Sequence, residues 1–257
     1  MCRMLVAVGE FSSSKLFDAA IAMAKDQTQD HERNATLGKG SFKHQDGWGI
    51  SYLDPQGKWR RFKSEAAIYD DVQVQWFRSL KTKYLMIHIR YAKGSVPALK
   101  NNHPFYIDRN DVGEFVFCHN GYVPSEINYC PSFKTKSETD SEQIFFQILS
   151  LSKNKGIGES VSECVSLLDT PHGTNVILSS KDKSYVMVKE SEARRYYTMH
   201  IGSNERCTIV SSEVLLGHDE FIWVEAPEST VFTLDHRNLN VSACKNMQIG
   251  NQMSGLQ

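Results

Sequence analysis

Apolar positions along the chain recur with two periods, and the switches between them lay out a sequence of elements. Residues 4–8 are an unbroken apolar run that predicts a strand beginning almost at the terminus. The serines at 12–14 offer N-caps to a helix over 15–25, with Leu16, Ala19, Ala20 and Met23 on one face. Residues 27–46 are polar and glycine-containing and read as a loop. Residues 48–53 and 58–63 flank Asp54-Pro55-Gln56-Gly57, a turn signal that predicts a hairpin. Strands are expected over 84–91 and 114–119, the second running into Asn120-Gly121. Two helices follow, over 140–152 with Ile144, Phe145, Ile148 and Leu149 at helical spacing, and over 158–169 with Val161, Val165 and Leu168. The remainder reads as a meander of strands over 174–180, 184–189, 195–200, 207–212, 221–225 and 231–236.

Strands, then helices, then strands again, joined by hairpin-type turns, argue for an α+β fold with antiparallel sheets. The strand–helix alternation of a parallel sheet is missing. With no internal repeat, low-complexity tract or linker-like stretch, the expectation is a single domain over residues 1–257.

Composition narrows the classes of function. The chain has 257 residues, 40% hydrophobic and 23% charged, enough to bury a large core. Its formal net charge of -1 offers neither a basic face for nucleic acid nor a polybasic membrane anchor. The apolar run at the start is too short for a signal peptide, and no later segment approaches the roughly 18 apolar residues of a membrane span. A cytoplasmic protein without nucleic-acid or membrane partners is therefore expected. The six cysteines, at 2, 118, 130, 164, 207 and 244, form no Cys-x-x-Cys pair and match no zinc or disulfide pattern. Those at 118, 164 and 207 sit in apolar segments as small buried hydrophobes. Reduced thiols fit this usage.

Candidate chemistry starts at Cys2. Removal of Met1 would leave a free α-amine on the residue that carries the thiol, with a reference pKa of roughly 7.7–8.0, suited to a general base. Position and terminal-amine chemistry alone favour a chance placement. Polar clusters at strand ends add weight. Arg90, at the end of the 84–91 strand, is either a solvated strand-end charge or a fork for a substrate carboxylate. Asn120-Gly121 is either a hairpin turn or an oxyanion hole built from a side-chain amide and a backbone N–H. Thr139-Asp140-Ser141-Glu142 has the composition of a helix cap. Lys39-Gly40-Ser41 lacks the upstream glycine and following helix of a phosphate loop, and His44, His88 and His119 lack metal-ligand spacing. No cofactor and no metal are expected.

Taken in order, Met1-Cys2, His44-Gln45-Asp46-Gly47-Trp48-Gly49, His88-Ile89-Arg90-Tyr91-Ala92, Asn102-His103-Pro104, His119-Asn120-Gly121 and Thr139-Asp140-Ser141-Glu142 resemble the class II, N-terminal-nucleophile glutamine amidotransferases over residues 2–145. A weaker match continues through Ile209-Val210-Ser211-Ser212-Glu213. The resemblance implies a four-layer αββα sandwich with mostly antiparallel sheets. It implies that Cys2 attacks the γ-carboxamide of glutamine, or of a γ-glutamyl small molecule, and forms a thioester. Asn120 and Gly121 would hold the oxyanion, Arg90 the α-carboxylate and Asp140 the α-ammonium, with His103 and the backbone around Tyr91 lining the pocket. Lys93 stands where synthase-linked members often carry Thr. The Asp46-Gly47-Trp48-Gly49 form resembles the stand-alone subgroup, with Trp48 either flanking the leaving group or sitting in the core. The implied activity is that of a free-standing hydrolase. The alternatives are a glutaminase subunit feeding ammonia to a separate synthase, since the sequence leaves no room for one, and a non-catalytic ligand-binding relative. Nothing in the sequence marks the oligomeric state.

Overall fold

The computed structural model describes residues 2–92, 95–170, 173–189 and 191–244. The chain begins with β1 (Arg3–Gly9), α1 (Ser13–Ala24) and the hairpin β2 (Trp48–Leu53) and β3 (Trp59–Ser64), then β4 (Tyr84–Ile89). It continues through β5 (Phe105–Arg109), β6 (Gly113–Gly121), α2 (Asp140–Leu151) and α3 (Ile157–Leu167). The last part comprises β7 (Thr174–Ser179), β8 (Lys183–Lys189), α4 (Arg194–Tyr197), β9 (His200–Ser203) and β10 (Cys207–Ser211). Three short strands close it: β11 (Ile222–Glu225), β12 (Val231–Asp235) and β13 (Val241–Ala243).

The strands form two sheets. One has seven strands in the order β11-β9-β10-β1-β4-β2-β3, the other six in the order β13-β12-β8-β7-β6-β5. Neighbours within both sheets pair antiparallel. Side chains alternate across each strand, and the burial follows that alternation. Leu5 and Ala7 of β1 pack with α1 through Leu16, Phe17, Ala20 and Met23. Met4, Val6 and Val8 point the other way, onto Val116, Cys118, Ile177 and Val186 of the second sheet. The outer face of the second sheet packs Phe117, Val176 and Leu178 against Ile144, Phe145, Ile148 and Val161 of α2 and α3. The result is α1, sheet, sheet, α2/α3: the four-layer αββα sandwich of the N-terminal-nucleophile hydrolases. Each fully buried Leu, Ile or Phe in these layers contributes roughly 1.5–3 kcal/mol.

The helix starts have local causes. Ser12 caps α1 by accepting from the Lys15 N–H. Thr139 occupies the same position before α2 but caps nothing with its side chain. The acidic residues instead tie down loops, Glu142 Oε2 accepting from the Lys136 and Ser137 amides at 2.8 and 2.6 Å. The expected strand over 195–200 is instead α4 followed by β9. Tyr196 and Tyr197 are buried in an aromatic cluster with Phe42 and Tyr91, and only a helical turn places both adjacent rings inside it. The sequence reading also lacked β5, β13 and a 3-10 turn over Val72–Phe77.

The 27–46 stretch is a loop, as expected, but one organised around Asp26. Asp26 Oδ1 meets His31 Nε2 at 3.0 Å and Asn34 Nδ2 at 2.8 Å, and its Oδ2 accepts from the Gly40 and Phe42 amides at 2.9 Å each. Among the described residues no helix is long and apolar enough to cross a membrane.

Gly47 and Gly49 let the 102–103 segment lie directly on β2. A Cβ on Gly49 would collide with the His103 carbonyl oxygen and lie 2.9 Å from that of Phe62. Gly49→Ala should therefore destabilise the fold by about 1–3 kcal/mol, read as a lowered urea midpoint; an unchanged midpoint would show that the 102–103 segment is not held against β2.

Candidate active site

The site forms where the inward faces of the two sheets run out at one end. Arg3 pairs with Ile89, so Cys2 lies beside Arg90 as β1 and β4 end together. Cys2 continues the inward-facing set Met4, Val6 and Val8, and Asn120 continues the inward set Val116 and Cys118 of β6. The two inward sets bring these residues together: the Cys2 backbone N–H donates to Asn120 Oδ1 at 2.6 Å. The other half of the same amide, Asn120 Nδ2, is buried with no partner among the described residues. Cys2 is 6% exposed, and its thiol points to the Tyr91 carbonyl oxygen at 3.9 Å.

Asn120 and Gly121 are the last two residues of β6, paired with Asn175 and Thr174 of β7. The hairpin-turn reading of Asn-Gly is thereby overturned: sheet pairing, not turn geometry, sets their direction. A Cβ on Gly121 would stand 2.5 Å from His119 Nε2 and 2.7 Å from Thr174 Oγ1, so no larger residue fits without displacing both.

Cys2, Arg90, Tyr91, His103, Gly121 and Asp140 all line one narrow cleft, and Asn120 reaches it through its hydrogen bond to Cys2. The structure thus gathers all seven residues singled out in the sequence. His119, Ser141, Ser95 and Tyr122 line it too. The first two stood inside recognised motifs without an assigned role, and the others carried no signal. A larger cavity, at the Gly9 end of β1, contains none of these residues.

Arg90 is 3% exposed and fixed by the loops around it, Nη2 donating to Ser95 Oγ at 2.7 Å and to the Val96 carbonyl at 3.3 Å, Nη1 to the Asp46 carbonyl at 3.3 Å. Burial pulls its pKa below the usual value, opposed by Cys2 and Asp46. It keeps its charge, since guanidinium does not lose its proton in proteins. Asp46 Oδ2 in turn accepts from the Ala92 amide at 2.7 Å, bending the chain after β4. Asp140, first residue of α2, accepts from the Ser141 amide with Oδ1 at 2.9 Å and from Val123 with Oδ2 at 2.7 Å. Its carboxylate is held in place with lone pairs to spare. The cleft thus sets a fixed cation and a fixed anion on its walls, the complement of an amino-acid head group.

Three buried histidines gather here, His103 and His119 lining the cleft. His119 Nδ1 meets Ser141 Oγ at 2.9 Å, and His88 Nε2 meets the His119 carbonyl at 3.2 Å. Both ring nitrogens of His103 are buried without a partner among the described side chains. Burial depresses all three pKa values, His119 to about 4, His88 to about 3 and His103 well below its usual value. All three are neutral at physiological pH. Among the described residues no group of three His, Cys, Asp or Glu is placed to hold a metal. Trp48, one of the open questions, is a core residue: fully buried, its indole N–H donating to Asp71 Oδ2 at 2.9 Å. Lys93 lies outside the described residues.

Comparison with known proteins identifies the family. Residues 14–174 match the family model of glutamine amidotransferases class-II, and the chain belongs to that family. The matched stretch starts after Cys2. A protein of Methanocaldococcus jannaschii without assigned function is 33% identical over 129 residues, 46% of this chain and 35% of that protein. Escherichia coli YafJ, by its name a candidate glutamine amidotransferase, is 30% identical over 118 residues, 44% of each chain. The aligned stretches thus span less than half the length of these relatives. In fold, the chain resembles the glutamine phosphoribosylpyrophosphate amidotransferase of B. subtilis, with a TM-score of 0.65 at 15% identity over 95% of this chain and 49% of that one. It also resembles a glutamine aminotransferase class-II domain protein from Silicibacter pomeroyi, with a TM-score of 0.59 at 14% identity over 94% and 99%.

The buried histidines give a pH dependence of stability. His88 and His119, with His31 at about 4, titrate below the 6.5 of an unfolded histidine. Between pH 6.5 and about 4 the unfolded state holds more protons, so stability falls as the pH is lowered, by up to about 1.4 kcal/mol per pH unit for each histidine kept neutral. Urea midpoints at pH 7 and 5.5 should differ in that direction. Equal midpoints would mean these imidazoles are not buried neutral.

Proposed function

We propose that the protein is a cysteine amidohydrolase of the N-terminal-nucleophile type, acting on the γ-amide of glutamine or of a γ-glutamyl small molecule. One observation carries the reading. Asn120 spends its oxygen on the Cys2 nitrogen, 2.6 Å away, and leaves its Nδ2 donors buried and unused. A buried donor without a partner costs about 1–3 kcal/mol, a cost recovered when an oxyanion forms there.

With Met1 removed, the Cys2 nitrogen becomes an amine in the same place, within reach of its own thiol. The amine takes the thiol proton as sulfur attacks the γ-carbonyl carbon. Asn120 Nδ2 and the Gly121 N–H receive the oxyanion. As the C–N bond breaks, the amine passes the proton to the leaving nitrogen, leaving a γ-glutamyl thioester on Cys2. Water, deprotonated by the same amine, then releases glutamate. Arg90 and Asp140 hold the α-carboxylate and α-ammonium, which fixes how far the γ-carbon reaches into the cleft. No cofactor enters. The proposal treats the chain as a single catalytic domain.

The likeness to one half of a phosphoribosylpyrophosphate amidotransferase favours a second reading, a glutaminase unit whose ammonia passes to a separate synthase. It differs in predicting low activity alone and stimulation by the partner.

Purified protein should show an intact mass lacking Met1 and should release glutamate from glutamine or from a member of a γ-glutamyl panel; retained Met1 in active protein would falsify the terminal-amine mechanism. Cys2→Ala should abolish release. Asn120→Ala should lower kcat about 10²–10³-fold, the worth of one oxyanion donor. A loss confined to KM would remove Asn120 from the oxyanion role.

A further inference from the structure

Cys2 has two backbone polar groups near the cleft, and the mechanism uses only its nitrogen. Its carbonyl oxygen accepts from the Tyr196 hydroxyl at 3.3 Å, and the Tyr196 oxygen stands 2.8 Å from His44 Nε2. Both side chains are fully buried. We propose that Tyr196 and His44 are positioning residues for the nucleophile, a two-link relay running from the His44 N–H through the Tyr196 hydroxyl to the Cys2 carbonyl. The proposal rests on Cys2 being the nucleophile.

Proton counting sets the direction of the relay. A carbonyl oxygen only accepts, so the single hydroxyl proton of Tyr196 goes to Cys2. His44 must then donate from Nε2 to the tyrosine oxygen. Burial holds the His44 pKa well below its usual value, so the ring has one proton, and Nδ1 is the bare nitrogen. Nδ1 has no partner among the described side chains, so no acceptor there calls for a proton on it. Burial also pushes the Tyr196 phenol well above its usual value, which keeps the proton on the hydroxyl.

The ring of Tyr196 is itself fixed from several sides. The Arg3 guanidinium lies 4.0 Å over its face, donates from Nη1 to the Tyr196 carbonyl at 2.8 Å and pairs through Nη2 with buried Glu213 at 2.8 Å. Glu32 accepts from the Arg195 and Tyr196 amides at 3.1 and 3.0 Å, tying α4 to the 27–46 loop. His31 packs edge-on at 4.9 Å. A terminal residue lacks the preceding peptide that restrains an internal one. Held at the nitrogen by Asn120 and at the carbonyl by Tyr196, Cys2 keeps its amine and thiol in one mutual orientation, the condition for the amine to serve as its base.

The test uses Tyr196→Phe, which removes only the hydroxyl, with His44→Leu and His44→Gln, the glutamine amide restoring a donor near Nε2. Two readouts are followed: kcat and KM for glutamate release, and the rate of Cys2 alkylation by iodoacetamide, with Cys130 in the same protein as reference. Tyr196→Phe and His44→Leu should lower kcat about tenfold, the worth of one neutral hydrogen bond, with KM unchanged. Cys2 alkylation should slow with kcat while Cys130 is unaffected, and His44→Gln should recover most of both. Wild-type kcat in folded Tyr196→Phe, a loss confined to KM, or equal impairment of the two His44 variants overturns the relay. Should Tyr196→Phe not fold, the His44 pair decides. If the wild type releases no glutamate from any γ-glutamyl compound, the hydrolase reading fails, and the alkylation rates still decide the relay.

Discussion

The 2.6 Å hydrogen bond from the Cys2 nitrogen to Asn120 Oδ1 joins the inward-facing residue just ahead of β1 to the last inward position of the long strand β6. It forms because the two sheets stack with matching alternation, so that Met4, Val6 and Val8 meet Val116 and Cys118 all along the interface. The cleft, the place of Cys2 in it and the unused Nδ2 donor follow from that stacking. Slipping β1 by one residue against β4 and β10 would exchange its faces, turning Cys2 toward α1 and Arg3 toward Asn120. The hydrophobic alternation that stabilises the sandwich therefore also orients the site.

Charge is handled differently on the two sides of Cys2. Toward the cleft, Arg90 and Asp140 are anchored by loop carbonyls and amides, and the histidines there are kept neutral by burial. Toward the 27–46 loop, Arg3 and Glu213 form an ion pair buried to 0% and 2% exposure. Such a pair contributes little net stability, because desolvation offsets most of the attraction, yet losing either partner would leave an uncompensated buried charge. Thr28 Oγ1 adds a hydrogen bond to Glu213. The pair fixes Tyr196, and through it Cys2. A polar hub is costly in a core, and here it makes one arrangement of three distant segments strongly preferred.

Much of this was legible along the chain. The strand at residues 4–8, the helices at 15–25 and 140–152 and the Asp54-Pro55-Gln56-Gly57 hairpin announce themselves because their apolar periods and turn residues are local. The ordered motifs from Cys2 to Asp140 named the residues that line the cleft, since short polar runs at strand ends keep their spacing whatever the rest of the chain does. The reading failed where a neighbour distant in sequence decides the outcome. Residues 195–200 have the apolar content of a strand, but buried aromatic packing and the Glu32 carboxylate at the Arg195 and Tyr196 amides make a helical turn. Asn120-Gly121 has the composition of a turn, and β7 draws it into a sheet.

By itself, then, the sequence determined most of the element types, the α+β class and the identity of most of the polar residues at the cleft, because these rest on local periodicity and residue chemistry. Only the tertiary structure decided what each of those residues faces. It gave the Asn120 oxygen to Cys2 and left the nitrogen free, made Trp48 a core residue, and brought His44 and Tyr196, 152 positions apart, to the Cys2 carbonyl. The reason is physical: hydrogen-bond partners and burial are pairwise properties of segments far apart in the chain, and they exist only once the two sheets have closed on each other.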